Sequence, residues 1–260
     1  MRVLVTRPAQ DAKRWVRELS ARGLQALGLP LISIAPAADP QPAQQALQQL
    51  ADYQAAMFVS GNAARYFYAS NQPLAQSISA PVAIKTRAWA TGPGTVAALR
   101  RAGVPDARID APDAAAGQFD SEALWQIVAP SVQPGSRILV VRGSDQSGEA
   151  AGRSWLAEQL AAAGAQVDTV VSYERRLPVF SPAQTLLAQQ ACSDGTVWLL
   201  SSSEAIAHLQ ALLPGQDFSA ARALATHPRI AQAARDAGFG VVCESRPLLV
   251  EIVASIESLA

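Results

Sequence analysis

Six short segments hold the side chains best suited to meet an anionic ligand. They read Thr6-Arg7-Pro8, Ser60-Gly61-Asn62, Thr91-Gly92-Pro93-Gly94-Thr95, Arg142-Gly143-Ser144, Ser201-Ser202-Ser203 and Thr226-His227-Pro228-Arg229. Each follows a short apolar run and precedes a helical pattern, the place where a helix leaves its first N–H groups unsatisfied and its dipole positive. A Ser or Thr there can cap the helix, and the same N–H groups can hold a carboxylate or phosphate. For any one hydroxyl a plain cap is the simpler role. Six such turns together describe a surface of neutral donors suited to a ligand with several anionic groups. No segment carries a Ser-His-Asp order, a Walker lysine or an HExxH pair. Two histidines and two cysteines, Cys192 and Cys243, lack ligand spacing and assemble no metal site. The stretch Gly92-x-Gly94-x-x-Ala97, with Asp110 beyond it, matches a dinucleotide fingerprint and keeps a nucleotide-dependent enzyme as one alternative.

The elements that must position these segments are short and regularly spaced. Apolar runs at Val3–Val5, Ala55–Val59, Arg87–Ala90, Ile138–Val141, Val167–Ser172, Val197–Leu200, Arg222–Ala225 and Val241–Cys243 read as strands. They are continuous rather than alternating, as parallel strands covered on both faces are. Helical patterns lie between them, with Trp15, Val16 and Leu19 on one face and Leu249, Val253 and Ile256 on another. This alternation predicts a doubly wound α/β fold.

The pattern occurs twice. RAWATGPGTVAALRRAG (Arg87–Gly103) and RALATHPRIAQAARDAG (Arg222–Gly238) agree at nine of 17 positions, at an offset of 222 − 87 = 135. The second copy has His227 and Arg229 where the first has Gly92 and Gly94, which weakens the dinucleotide reading. Leu4-Val5-Thr6-Arg7 answers Leu139-Val140-Val141-Arg142, again 135 apart. Trp15 and Glu18 answer Trp155 and Glu158, 140 apart, with SDQSG inserted in the second turn; Phe58-Val59-Ser60 answers Leu199-Leu200-Ser201, 141 apart. The repeat predicts two similar α/β lobes and, taken alone, a cut near residue 135.

Composition sets outer bounds. A chain of 260 residues has room for one large domain or two lobes of about 130 residues. Its 50% hydrophobic content excludes a disordered chain, and zero net charge without a Lys/Arg run argues against nucleic acid as a partner. The opening MRVLVTRPAQ has no signal-peptide pattern and no apolar run approaches the ~18 residues of a membrane span. The expectation is a reduced, cytoplasmic protein with no membrane partner.

Together these stretches resemble uroporphyrinogen-III synthases. The similarity runs through VLVTRP, LPLISI (Leu29–Ile34), FVSGNAARYF (Phe58–Phe67), ATGPGTVAAL (Ala90–Leu99), FDSEAL (Phe119–Leu124), ILVVRG (Ile138–Gly143), VVSYERRLP (Val170–Pro178) and LLSSSEAI (Leu199–Ile206). The resemblance implies two doubly wound parallel-sheet lobes with a cleft between them, residues 1–35 plus 176–260 forming one lobe and 36–175 the other. LPLISIAP and VVSYERRLP would be the crossing strands. It also implies the activity: dehydrative closure of hydroxymethylbilane, a linear tetrapyrrole with eight carboxylates, to uroporphyrinogen III with ring D inverted. Such a reaction needs no cofactor and no metal, because holding two chain ends in one geometry does most of the work.

Within that frame Tyr173 matches the family tyrosine of the VxxY stretch, and its phenol would assist departure of the ring A hydroxyl; packing between lobes is the competing role. Thr95 matches a family threonine, and Ser60 and Ser201 match the serines of two (F/L)xS turns, each as a binding residue or cap. Gly61, Asn62, Thr91 and Ser202 line the same turns as candidate substrate contacts. Arg7 and Arg142 end equivalent strands and would meet carboxylates or form structural ion pairs. Ile230 takes the place that Thr95 holds in the first copy, so Arg229 is expected to supply a carboxylate contact there. A monomer is the default expectation, with transient contact to the preceding pathway enzyme as the one further partner. A two-lobed binding or regulatory module without chemistry is the other alternative.

Overall fold

The computed structural model describes residues 1–69, 85–113, 119–145 and 155–259. Along the chain the described elements run β1 (Arg2–Val5), α1 (Ala9–Ser20), β2 (Gln25–Gly28), β3 (Ser33–Pro36), α2 (Gln41–Gln48), β4 (Ala55–Phe58) and α3 (Gly61–Ala69). There follow β5 (Arg87–Ala90), α4 (Pro93–Arg101), β6 (Ile109–Asp110), α5 (Ser121–Val128), β7 (Arg137–Ser144), α6 (Trp155–Ala162) and β8 (Gln166–Arg176). The last are α7 (Pro182–Ala191), β9 (Val197–Leu200), α8 (Ser203–Leu212), β10 (Arg222–Ala225), α9 (Pro228–Asp236), β11 (Val241–Glu244) and α10 (Leu249–Glu257). No helix among the described residues is long and apolar enough to cross a membrane. Of the inserted SDQSG, Gln146-Ser147-Gly148 lie outside the described residues.

The chain divides into two compact units, one of Met1–Ile34 with Arg176–Ala260 and the other of Ala35–Arg175. The repeat-based cut near residue 135 is therefore replaced: that position falls inside the second unit, just ahead of β7. The first unit's sheet has the order β11-β10-β9-β1-β2, and every adjacent pair in it is parallel. Successive residues of β1 point to opposite faces. Val3 and Val5 pack with Trp15 and Leu19 of α1 and with Ile252 and Ile256 of α10. Leu4 faces the other way, joining Trp198, Leu200 and the buried sides of α7, α8 and α9. Both faces of the sheet are thus covered at its centre.

The second unit's sheet has the order β3-β8-β7-β4-β5-β6, with parallel pairing from β8 through β6. Ala55, Met57, Ile138, Val140 and Trp89 pack against Leu124, Val128, Leu156 and Leu160 of α5 and α6. On the other face the Phe58 ring meets Phe67 of α3 edge-on at 5.6 Å.

Renumbered from β1, the first sheet reads 2-1-3-4-5. The second reads the same if its count starts at β7, so β7, β8, β4, β5 and β6 answer β1, β2, β9, β10 and β11. The duplication is one topology with the chain entering it at a different strand. Local details repeat too. Pro93 and Pro228 open α4 and α9 at a position where proline's missing N–H costs nothing. Gly103 and Gly238 close them at φ 88° and 92°, and bonds from Val104 N–H to Leu99 and from Phe239 N–H to Ala234 complete a Schellman turn.

Several expectations change. β7 continues to Ser144, so Arg142-Gly143-Ser144 is strand and not turn. β8 extends to Arg176 rather than ending at Ser172. β2, β3 and β6 were not readable from the apolar runs. β2 and β11 are exposed along much of their length, so coverage on both faces holds for inner strands such as β4 and β9 and fails at these edges.

Candidate functional site

In open α/β sheets ligands bind at the carboxyl ends of strands where the strand order reverses. That point lies between β1 and β9 in the first unit and between β7 and β4 in the second.

In the second unit the reversal point is built around Tyr173. The pairing of β7 with β8 slips there: Arg142 faces Val171, but Gly143 faces Tyr173, so Ser172 is an extra residue. Such a bulge bends the strand and re-aims the next side chain. Ser172 is buried and its hydroxyl donates to Ala63 O at 3.2 Å, which ties the bulge to α3. The Tyr173 ring then lies across Gly143, where a Cβ would stand 2.5 Å from the ring carbon bearing the hydroxyl. Tyr66 stacks on the ring at 6.0 Å. The phenol reaches past β7 to Ser60, with 3.1 Å between the two oxygens, and either hydroxyl can be the donor. Ser60 Oγ also accepts the Ala63 N–H at 3.1 Å and so caps α3. Tyr173 is 3% exposed, whereas Ser60 is only half-buried.

The neighbouring candidates gather on the same edge. Asn62 is buried in the first turn of α3, and among the described residues its Oδ1 has no hydrogen-bond partner. Gly61 lets α3 approach α4: a Cβ there would sit 3.1 Å from Gly94 O. Gly92 backs onto Phe119, 3.2 Å from where its Cβ would be. Packing against Phe119 thus accounts for Gly92 of the apparent dinucleotide fingerprint, while a Cβ on Gly94 would meet nothing within 4 Å. Thr91 Oγ1 makes a long contact to Val59 O at 3.5 Å, and Thr95 is buried in the first turn of α4. Arg142 is buried inside β7; burial lowers its pKa, Arg175 adds in the same direction and Tyr173 opposes.

In the first unit Thr6 Oγ1 donates to Leu199 O at 2.7 Å, closing β1 onto β9 rather than capping a helix. Ser201 and Ser202 follow β9, and Ser202 stands at the N-cap of α8 without a side-chain cap bond. The N-caps of α1 (Pro8) and α4 (Gly92) likewise lack one. At these three helices the expected hydroxyl caps are therefore missing. At α9 a histidine caps instead: His227 Nδ1 accepts the Arg229 N–H at 3.1 Å, leaving the Arg229 side chain exposed. Ile230, the counterpart of Thr95, is buried in the core. Arg7 lies with its guanidinium 4.8 Å from the Trp15 ring centroid, and burial lowers its pKa to about 10.

Sequence reasoning missed Gly143, Tyr66 and the bulge at Ser172. The glycine in VVRGS was visible, but its partner lies 173 − 143 = 30 residues away, and nothing local links them.

Known proteins resemble this chain over most of its length. Residues 13–252 match the family model described as uroporphyrinogen-III synthase HemD. A uroporphyrinogen-III synthase from Synechococcus elongatus is 26% identical over 188 residues, covering 72% of this chain and 65% of that protein's length, just under two thirds. Two solved structures share the fold. A mutant uroporphyrinogen III synthase from the extremely thermophilic bacterium Thermus thermophilus has TM-score 0.57 and 18% identity, covering 100% of this chain and 98% of that one. The enzyme from Helicobacter pylori 26695 has TM-score 0.56 and 16% identity, with 100% of each chain covered. The match across 13–252 decides the matter: the chain belongs to the uroporphyrinogen-III synthase family, whose members are cyclising lyases of tetrapyrrole synthesis.

Proposed function

We propose that this chain closes hydroxymethylbilane to uroporphyrinogen III, and that the residues gathered at the two reversal points bind it. The observation that carries the reading is the family match over residues 13–252. The chemistry fits the side chains available. The ring A hydroxyl takes a proton, its C–O bond breaks and water leaves, pushed by the pyrrole nitrogen, to give an electrophilic azafulvene. The substituted carbon of ring D attacks that methylene and forms a spiro intermediate. Its older bond to the ring C methylene then breaks, and the free α-carbon of ring D bonds that methylene, which leaves ring D inverted. Loss of one proton restores the pyrrole, so the net change is one water lost.

Ser60 and Tyr173 supply the first proton in this reading. Their hydroxyls form one hydrogen-bonded pair, of which Ser60 is the less buried end, and Tyr173 stands behind it. Arg7, Arg142 and Arg229 meet carboxylates, while Gly61, Asn62, Thr91, Thr95, Ser201 and Ser202 present turn amides and hydroxyls to the rest. Without a strong acid–base group, rate comes from holding the two ends of a flexible chain, and specificity from excluding the uninverted closure. No cofactor enters the scheme.

The test adds purified protein to hydroxymethylbilane and measures the ratio of type III to type I uroporphyrinogen. Enrichment of type III supports the proposal. A product mixture identical to that of the spontaneous reaction rejects it. Tyr173→Phe is expected to lower kcat about 100-fold or more with little change in KM, the size of a lost proton-donor contribution at its low end. An unchanged kcat removes Tyr173 from the proton path.

A further inference from the structure

Helix α1 carries a charged stripe that the proposed reaction only partly uses. Arg7 precedes the helix, Asp11 follows four residues later, and Arg14 and Trp15 come three and four residues after Asp11. These spacings put the four side chains on neighbouring positions of one surface. Trp15 is buried and holds the Arg7 guanidinium over its ring at 4.8 Å, which fixes the plane of the fork. Arg14 is half-buried beside it. The Nε atoms of both arginines are covered by protein, and among the described residues neither has a hydrogen-bond partner.

Charge is unbalanced here. Arg7 is lowered to about 10 first by burial, with Asp11 opposing and the like charge of Arg14 adding to the effect. At about 10 the Arg7 guanidinium still stays protonated at neutral pH. One carboxylate, Asp11, thus faces two cations. Three other arginines of this unit form ion pairs: Arg2 with Asp194 at 2.7 Å, Arg235 with Glu244 at 3.1 Å and Arg246 with Glu251 at 3.1 Å. Two partly desolvated guanidiniums of like sign, one of them clamped on an indole, therefore keep Nε donors that no described protein group accepts. A carboxylate arriving end-on meets the two terminal nitrogens of one fork together. The location is the carboxyl end of β1, at the reversal point of the first unit's sheet.

We propose that Arg14 joins Arg7 in a two-arginine site that takes one carboxylate of the tetrapyrrole. The inference rests on the proposed reaction and names a charge that the first unit takes. Arg14 is a binding residue and has no part in the proton transfers.

The test uses the full chain and two readouts. KM and kcat for hydroxymethylbilane are measured with Arg14→Gln, Arg14→Lys and the control Lys13→Gln, an exposed charge one residue away on the same helix. Equilibrium binding of uroporphyrin III, the unreactive octacarboxylate, is measured in parallel. Loss of a charge-assisted contact predicts a rise of about ten-fold in KM and in the uroporphyrin Kd for Arg14→Gln, with kcat within two-fold. Arg14→Lys, which keeps the charge and loses the fork, falls between that variant and the wild type. Lys13→Gln leaves both values in place. An enzyme that makes the type III isomer but shows no change in KM or Kd in Arg14→Gln overturns the two-arginine site alone. Equal effects from Arg14→Gln and Lys13→Gln overturn it as well, since they reduce it to general attraction. A wild-type chain that gives no type III product overturns the parent reading, and this proposal with it.

Discussion

At Gly143 one hydrogen atom decides where a catalytic candidate stands. A Cβ would lie 2.5 Å from the nearest Tyr173 ring carbon and 2.8 Å from two more, so the ring cannot keep its place above any other residue. Gly143→Ala is expected to push the phenol off Ser60 and to cost roughly 1–3 kcal/mol of stability, as overpacked cores do. Activity should fall as far as in Tyr173→Phe, and the double variant should be little worse than either single one. Assays of type III formation on all three proteins, with thermal melts alongside, check this; additive losses in activity would separate the two residues. Tyr173→Phe itself keeps the packing on Gly143 and Tyr66 and loses one hydrogen bond, so its melting point should change by only a few degrees. The side chains that could do chemistry were readable by type from the turns and the resemblance. Their mutual contact was not. Ser60 and Tyr173 are 113 residues apart, and the bulge that aims one at the other has no local signature.

Among the elements, the two glycine-bearing segments around α4 and β11 respond in opposite ways. Gly94 lies in the first turn of α4 with nothing within 4 Å of its would-be Cβ and no unusual φ. Gly94→Ala should therefore stabilise by roughly 0.4–1 kcal/mol by reducing the freedom of the unfolded chain. Gly240, ahead of β11, stands against backbone: its Cβ would fall 1.9 Å from Ser219 O. Gly240→Ala should destabilise strongly, at least about 1–3 kcal/mol, because a carbonyl cannot swing aside as a side chain can. Chemical denaturation of both variants measures the signs. At the opposite ends of β7 and β8, the Asp168 carboxylate accepts from the Tyr53 hydroxyl at 2.8 Å and from the Arg137 guanidinium at 2.9 Å. These bonds hold the Asp168 carboxyl below its ordinary value of 3.8. A carboxylate depressed in the folded state adds stability above that ordinary value and loses it as pH falls through the folded one. Asp168→Asn should thus melt slightly earlier than wild type at pH 7, with the gap closing in strong acid. The same scale shows what patterning can and cannot reveal. β4 and β9 are apolar throughout and central, so they announce themselves; β2 (QALG), β3 (SIAP) and β6 (ID) are short strands at sheet edges, and of these only β3 was marked, by the resemblance, within LPLISIAP.

At the scale of the molecule, the 135-residue repeat was legible and its meaning was not. Similar residues recur because both sheets share one strand order, yet the chain enters that order at β1 in one unit and at β4 in the other. A repeat detects equivalent strands; it carries no information about which neighbours complete a sheet. Ala35–Arg175 is contiguous, so that segment expressed alone should melt cooperatively, whereas chains ending before β9 should keep only this transition. Calorimetry of the two truncations checks both statements. The order of strands also has a temporal side. Val3 pairs with Val197, and β1 is an inner strand, flanked by β2 and β9. During synthesis at roughly 5–20 residues per second, that first-made strand waits on the order of 10–40 s for its neighbour to emerge. Translation speed and nascent-chain guardians such as holdases should accordingly govern the yield of this protein more than its final stability does.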